Sequence, residues 1–223
     1  MMSQPAEIEW KDGRVPVSTR FDDPYFSITN GLEETRHVFL DGNRLPQRFK
    51  PGFHIAELGF GTGLNLLAAW QLWQQAGIGG KLHFTSFEAF PMQSKEMQKS
   101  LAVFPDLSEL AGPLMDAWRK GATEIDAPDL HARIIIGDAR QTVPAWSGRA
   151  DAWFLDGFSP AKNPELWDPV LMNQIAVHTA EGGSFATYTA AGHVRRSLRD
   201  AGFIVSRIAG FGRKRHMSVG VLS

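Results

Sequence analysis

Three glycines alternate through Gly59-Phe60-Gly61-Thr62-Gly63, after the apolar run His54-Ile55-Ala56-Glu57-Leu58 and before a helix-compatible segment from Leu64 to Gln75. A strand that must turn at once into a helix needs positive φ or close backbone approach, and glycine supplies both. The helix N-terminus that follows offers unpaired N–H groups to a polar ligand. The spacing is G-x-G-x-G, with Leu64 where the dinucleotide fingerprint G-x-G-x-x-G has its third glycine. This favours S-adenosylmethionine over NAD or FAD, although such a turn can also be purely structural.

From His54 onward strands and helices alternate. Strands are expected at His54–Leu58, Leu82–Glu88, Ala132–Gly137, Ala150–Asp156 and Ser184–Tyr188. Helices are expected at Leu64–Gln75, Met92–Val103, Pro164–Ala180 and Gly192–Ala201, with more helix between Leu107 and Lys120. Such alternation implies an α/β fold, a mostly parallel sheet covered on both faces. Phe203–Ile208 and His216–Leu222 are too close in sequence for a parallel crossover, so they must pair antiparallel. A parallel sheet ending in an antiparallel hairpin is the layout of class I (Rossmann-like) S-adenosylmethionine-dependent methyltransferases. At the other end, Asp12-Gly13 between Ile8–Lys11 and Arg14–Ser18 predicts an N-terminal β-hairpin. Phe21 to Thr35 reads as a functional loop entering a short helix. The expected organisation is therefore a hairpin and covering segment in residues 1–50 and a methyltransferase core in residues 51–223.

Four carboxylates fall at the carboxyl ends of predicted strands: Glu57, Glu88, Asp138 and Asp156. That edge of an open α/β sheet is where ligands bind. An ionised carboxylate is an acceptor only, which suits Glu88 to a pair of ribose hydroxyls. Asp138, before Ala139, can accept from an adenine amine, or it can simply cap a helix; the two readings stand level. Glu57 can position the turn or attract the sulfonium and amino group of the methionine half. Asp156 opens Asp156-Gly157-Phe158-Ser159-Pro160-Ala161-Lys162-Asn163-Pro164, where an acceptor would meet the methyl group.

Other chemistries find less support. Seven histidines form no H-E-x-x-H or similar pair, so no metal is expected, and no G-x-S-x-G elbow marks a nucleophilic serine. Without cysteine there is no disulfide, thiolate zinc site or cysteine nucleophile. Met1 to Trp10 does not read as a signal peptide, and no apolar run approaches the ~20 residues of a membrane span. A cytoplasmic location is the default. Trp70, Trp73, Phe84, Phe87, Trp153 and Phe154 are expected in the core. Net charge is −1, yet residues 182–223 carry seven Lys/Arg against Asp200 alone, which is +6. Such asymmetry marks either a polyanion-facing surface or a solvated face.

Five strings resemble the methyltransferase domain of the bacterial MnmC family of tRNA 5-methylaminomethyl-2-thiouridine biosynthesis proteins. They are Phe21–Ser27 (FDDPYFS), Asn30–Arg36 (NGLEETR), Gly59–Asn65 (GFGTGLN), Asp151–Pro164 (DAWFLDGFSPAKNP) and Gly210–Met217 (GFGRKRHM). The resemblance implies methyl transfer from S-adenosylmethionine to the amine of 5-aminomethyl-(2-thio)uridine at wobble position 34 of a tRNA anticodon loop. The flavin oxidase domain of bifunctional members, and with it FAD, is not expected in this chain; a separate or fused oxidase would act upstream. On this reading the cofactor residues are Glu57, Gly59, Gly61, Thr62, Gly63, Asn65, Glu88, Asp138, Ala139, Asp156 and Phe158. Asp156 is the catalytic candidate. Tyr25, Phe26, Phe158 and Tyr188 are aromatic candidates for a splayed base, with Lys162, Arg195, Arg196, Arg213, Lys214 and Arg215 for phosphates. Two rivals stay open: an N-methyltransferase of a small-molecule or protein amine, and a non-catalytic module that binds S-adenosylmethionine.

Overall fold

In the computed structural model, which describes residues 4–27 and 30–223, β1 (Ile8–Lys11) and β2 (Val15–Ser18) form a hairpin extended by β3 (Asp23–Pro24) into a small antiparallel sheet. Residues 1–3, within the segment read for a signal peptide, lie outside the described residues. After the short α1 (Gly31–Thr35), capped by the Asn30 side chain, the chain continues through a π-turn (Arg36–Leu40) and a 3₁₀ turn (Asp41–Asn43). Leu32, Val38, Phe39, Leu40 and Leu45 pack into the core of the large sheet, so this covering segment is anchored by apolar burial.

The large sheet follows: β4 (His54–Leu58), α2 (Leu64–Ala76), β5 (Leu82–Glu88), α3 (Ser94–Leu101), α4 (Ser108–Arg119), β6 (Glu124–Asp126), β7 (Leu130–Ile136), α5 (Ala139–Ala145), β8 (Ala150–Leu155), α6 (Pro169–Val177), β9 (Thr179–Thr187), α7 (Gly192–Asp200), β10 (Phe203–Ala209) and β11 (His216–Leu222). Its strand order is β10-β11-β9-β8-β4-β5-β7-β6. The pairs among β9, β8, β4, β5 and β7 are parallel, while β11 and β10 are antiparallel on one side and β6 on the other. Central strands are buried on both faces, as helices on both sides require; Ala152 to Leu155 of β8 are all buried. From β4 the chain proceeds outward to β5 and β7, then returns to β8 on the other flank. The carboxyl ends of β4 and β8 therefore border the topological switch point. The six aromatics expected in the core are all buried.

Several local expectations shift. The single helix expected over Pro164–Ala180 is a 3₁₀ turn (Pro164–Trp167) followed by α6. Pro169 biases the residue before it out of the helical region; Asp168 is extended and its carboxylate accepts from the Val170 N–H as an N-cap. Thr179 and Ala180 belong to β9, which starts five residues earlier than expected. Strands β3 and β6 had no counterpart among the expected elements, and helix α5 was implied only by the capping alternative at Asp138. Each is short, and propagation over so few residues leaves little periodic signal.

Candidate active site

Gly59 leaves β4 with φ +86, its N–H donating to Phe87 O at 2.9 Å. A Cβ there would lie 2.5 Å from the Asp156 carbonyl oxygen. The turn is thus pressed against the end of β8, and only glycine fits. Gly61 has φ +53 and room for a Cβ only against the Tyr25 ring, at 3.1 Å. Its N–H donates to the Glu88 carboxylate at 2.9 Å, and Phe90 N–H donates to the other oxygen at 2.7 Å. Helix α2 then begins at Gly63 without a side-chain cap, leaving first-turn N–H groups for a polar ligand. Turn, Glu88 and Asp138 line one cleft of about 1560 Å³, larger than the 300–1,000 Å³ typical of a small-molecule pocket.

The residues present fit an adenosyl ligand. Glu88 is held by two backbone N–H groups and retains a free lone pair on each oxygen for hydroxyl donors. Burial raises its pKa, and the surrounding backbone N–H groups pull it back. Asp138 is the N-cap of α5, accepting from Arg140 N–H at 2.9 Å, and its carboxylate also pairs with the Arg140 guanidinium at 2.6 Å. That pairing holds it below the usual carboxylate range. The capping role weighed for Asp138 is therefore real, and the residue still borders the cleft beside Ala139.

Asn65 ties two of the strand-end acids together. Its Nδ2 donates to Glu57 Oε1 at 2.9 Å and to Asp156 Oδ2 at 2.7 Å, while its Oδ1 accepts from the Thr35 hydroxyl at 2.9 Å. Ser86 Oγ lies 2.6 Å from Glu57 Oε2. Glu57 is fully buried, does not line the cleft, and is pushed well above the usual carboxylate range by that burial. Its observed role is to brace Asn65. Asp156 is half-buried at the end of β8. Burial raises its pKa to about 7, Glu34 and Asp23 adding to the rise while Asn65 and Lys214 oppose it.

The opposite wall is built from the N-terminal segment. Phe158 stacks on Phe21 at 4.8 Å and meets Tyr25 edge-on at 5.1 Å. Ser159 N–H donates to Asp23 at 2.8 Å, and Lys162 pairs with Asp22 at 2.9 Å, strapping residues 21–25 to the loop after β8. Phe26 packs edge-on against Phe104 but also borders the cleft. The Tyr188 hydroxyl donates to Gly157 O at 2.7 Å, and the Lys214 ammonium lies 4.0 Å from its ring centroid.

Of the other expected site residues, Thr62, Asn65, Arg213 and Lys214 line the cleft, whereas Gly63, Arg195, Arg196 and Arg215 do not. Arg195 and Arg196 lie on α7, and Arg213 to Arg215 form an exposed turn between β10 and β11. Thr35, Ser86 and Glu34 escaped the sequence reading. Thr35 and Glu34 stand within the Asn30–Arg36 string and at the end of the Phe21–Thr35 segment expected to be a functional loop, the two signals that pointed at their neighbourhood.

Residues 105–223 match a family model described as S-adenosyl-L-methionine-dependent methyltransferase. The chain is 42% identical, over 98% of its length, to the tRNA 5-methylaminomethyl-2-thiouridine biosynthesis bifunctional protein MnmC of Chromohalobacter salexigens. It is 43% identical over 96% of its length to the protein of that name from Chromobacterium violaceum. It spans about a third of the length of these relatives, 33% and 34%. Among solved structures, MNMC2 from Aquifex aeolicus superposes with a TM-score of 0.77 at 27% identity, covering 100% of this chain and 72% of that one. Spermidine synthase from Thermotoga maritima shares the fold, with a TM-score of 0.59 at 12% identity over 100% of this chain and 71% of its own. With the family model matching more than half of its length, the chain belongs to the S-adenosyl-L-methionine-dependent methyltransferases.

Proposed function

We propose that this chain methylates the primary amine of 5-aminomethyl-(2-thio)uridine at the wobble position of tRNA, giving 5-methylaminomethyl-(2-thio)uridine. The observation that carries this reading is Asp156, half-buried beside the glycine turn and aimed by Asn65, at the head of a cleft too large for the cofactor alone. The names of the relatives supply the acceptor, since they are bifunctional proteins of tRNA 5-methylaminomethyl-2-thiouridine biosynthesis. In those longer proteins a flavin-dependent oxidase would generate the amine upstream.

S-adenosylmethionine supplies an electrophilic methyl group. Glu88 would take its ribose hydroxyls, Asp138 and Ala139 its adenine edge, and the Gly59–Gly63 turn with the α2 N-terminus its methionine end. Asp156 receives the acceptor amine. An alkylamine near the lysine range is mostly protonated at pH 7, and a cation cannot attack. A carboxylate raised to about 7 can take that proton in the desolvated cleft, where burial also lowers the pKa of the amine. Proton acceptance of this kind is worth about 10²–10⁴ in rate, whereas fixing the reactants in line is worth roughly 7–11 kcal/mol. Orientation by Asp156 and Asn65 is therefore the larger contribution. Phe21, Tyr25 and Phe158 form an aromatic wall for the flipped base, and Arg213 and Lys214 lie where phosphates would pass.

The test is incubation with labelled S-adenosylmethionine and tRNA bearing 5-aminomethyluridine, followed by nucleoside analysis. Label in 5-methylaminomethyluridine is expected. Transfer only to small amines or protein, with none to this tRNA, overturns the proposal.

A further inference from the structure

One ion pair in the lining of the cleft joins residues 180 positions apart in sequence. Lys214 Nζ, in the turn between β10 and β11, lies 2.8 Å from Glu34 Oε1 on α1. The two ends differ: the Glu34 side chain is only 14% exposed, the Lys214 side chain 47%. Both border the cleft. Glu34 directly precedes Thr35, whose hydroxyl holds the amide that holds Asp156. The Lys214 ammonium also rests over Tyr188, whose hydroxyl is fixed to the carbonyl of Gly157. The bridge therefore shares the cleft lining with Asp156, and both of its charges act on the titration of that carboxylate.

A nearly buried carboxylate cannot be left without a cation, because an unpaired buried charge is costly. A half-exposed lysine, in contrast, is weakly held and readily exchanged. An acceptor that carries an ammonium and a phosphate in one molecule can satisfy both ends at once.

We propose that the Glu34–Lys214 bridge is a specificity device that opens by exchange of partners, Glu34 passing to the cationic amine of the acceptor and Lys214 to a phosphate of its backbone. Glu34 is then a second amine-binding carboxylate beside Asp156, and the bridge penalises amines that bring no phosphate. An amine alone leaves Lys214 displaced without a partner. A polyanion without the amine leaves Glu34 unpaired. This inference rests on the tRNA reading above.

The experiment compares wild type, Glu34→Gln, Lys214→Met and Lys214→Arg with two acceptors: tRNA bearing 5-aminomethyluridine and the free nucleoside 5-aminomethyluridine. Glu34→Gln is expected to raise KM for tRNA about tenfold with little change in S-adenosylmethionine affinity, as for loss of one hydrogen bond to a charged group. Lys214→Met is expected to raise KM for tRNA by a similar factor and reduce the salt slope of tRNA binding by about one. The same variant should leave KM for the nucleoside unchanged or lower, since it removes the penalty. Lys214→Arg should retain the discrimination. An unchanged KM for tRNA in either charge-removing variant, or a parallel rise for both acceptors in Lys214→Met, overturns the exchange. Lys214 is exposed, so its variants carry the test even if Glu34→Gln fails to fold. Failure of the wild type to methylate the tRNA rejects the substrate assignment, whereas activity indifferent to these variants rejects only the exchange.

Discussion

Replacing Asn65 by leucine probes both the architecture and the chemistry of the site. Leucine matches asparagine in heavy-atom count and branching, though it is bulkier, and removes three hydrogen bonds, to Glu57 at 2.9 Å, to Asp156 at 2.7 Å and from Thr35 at 2.9 Å. A buried group left without its partner costs about 1–3 kcal/mol. Glu57 keeps its contact to Ser86, and the half-buried Asp156 can turn toward solvent, so the lower part of that range applies. A total near 3 kcal/mol follows, which for a domain of this size lowers the melting temperature by roughly 6–12 °C. The kinetic consequence is separate. The Asn65 hydrogen bond holds the Asp156 pKa down against burial, and one such bond is worth about one pKa unit. In the wild type, kcat/KM is expected to rise with pH through about 7 as Asp156 ionises; in Asn65→Leu that limb should move up by about one unit. Calorimetry and a pH–rate series on labelled methyl transfer measure the two effects. A melting temperature within about 2 °C of wild type, together with an unmoved acid limb, would refute the bracing role assigned to Asn65.

Asp156→Asn should reduce turnover by about 10²–10⁴ while S-adenosylmethionine affinity, read by calorimetric titration, stays within about threefold, roughly 0.7 kcal/mol; equal losses in both would reject Asp156 as the amine-facing group. Gly59→Ala forces a Cβ to 2.5 Å from a carbonyl oxygen at φ +86, whereas Gly77→Ala at φ +63 meets nothing within 4 Å. Urea denaturation should show about 1–2 kcal/mol lost at Gly77, the positive-φ penalty alone, and markedly more at Gly59 with loss of cofactor binding. At the far end of the sheet, His54 abuts His83, which abuts His131, at ring separations of 5.8 Å each. Burial lowers the His54 pKa to about 4, so the unfolded chain takes up its proton first as pH falls below about 6.5. Its contribution to stability is whole above that pH and is lost progressively down to about 4, amounting to roughly 2–3 kcal/mol. His54→Gln should make the unfolding free energy less dependent on pH between 7 and 4.5; an identical slope in wild type and variant would contradict this.

The strand, glycine turn and helix at 54–76 were legible in the sequence because each obeys local rules. A short apolar run, positive-φ glycine and helical spacing all act within a few residues. The acids at strand ends were legible for the same reason. Their separate roles were legible only in part. Glu57 lies two residues before Gly59 and Asp156 follows β8 directly, and nothing local says that Glu57 turns to an amide and leaves the cleft to Asp156. That division follows from the adjacency of β4 and β8, which is set by the sheet order. Asp138 illustrates the converse: its capping geometry is local, and the structure shows that the cap and the position at the cleft coexist.

By itself, then, the sequence determined an α/β methyltransferase sheet, its glycine turn and the edge on which a ligand would lie, because these depend on backbone propensity and burial along short segments. Only the tertiary structure decided that Thr35, Asn65 and Asp156 form one chain of hydrogen bonds, and that Glu34 meets Lys214 over the cleft. Those contacts join residues 30, 91 and 180 positions apart. They exist because apolar burial of the segment after α1 and antiparallel closure by β10 and β11 bring both ends of the chain to the switch point of the sheet.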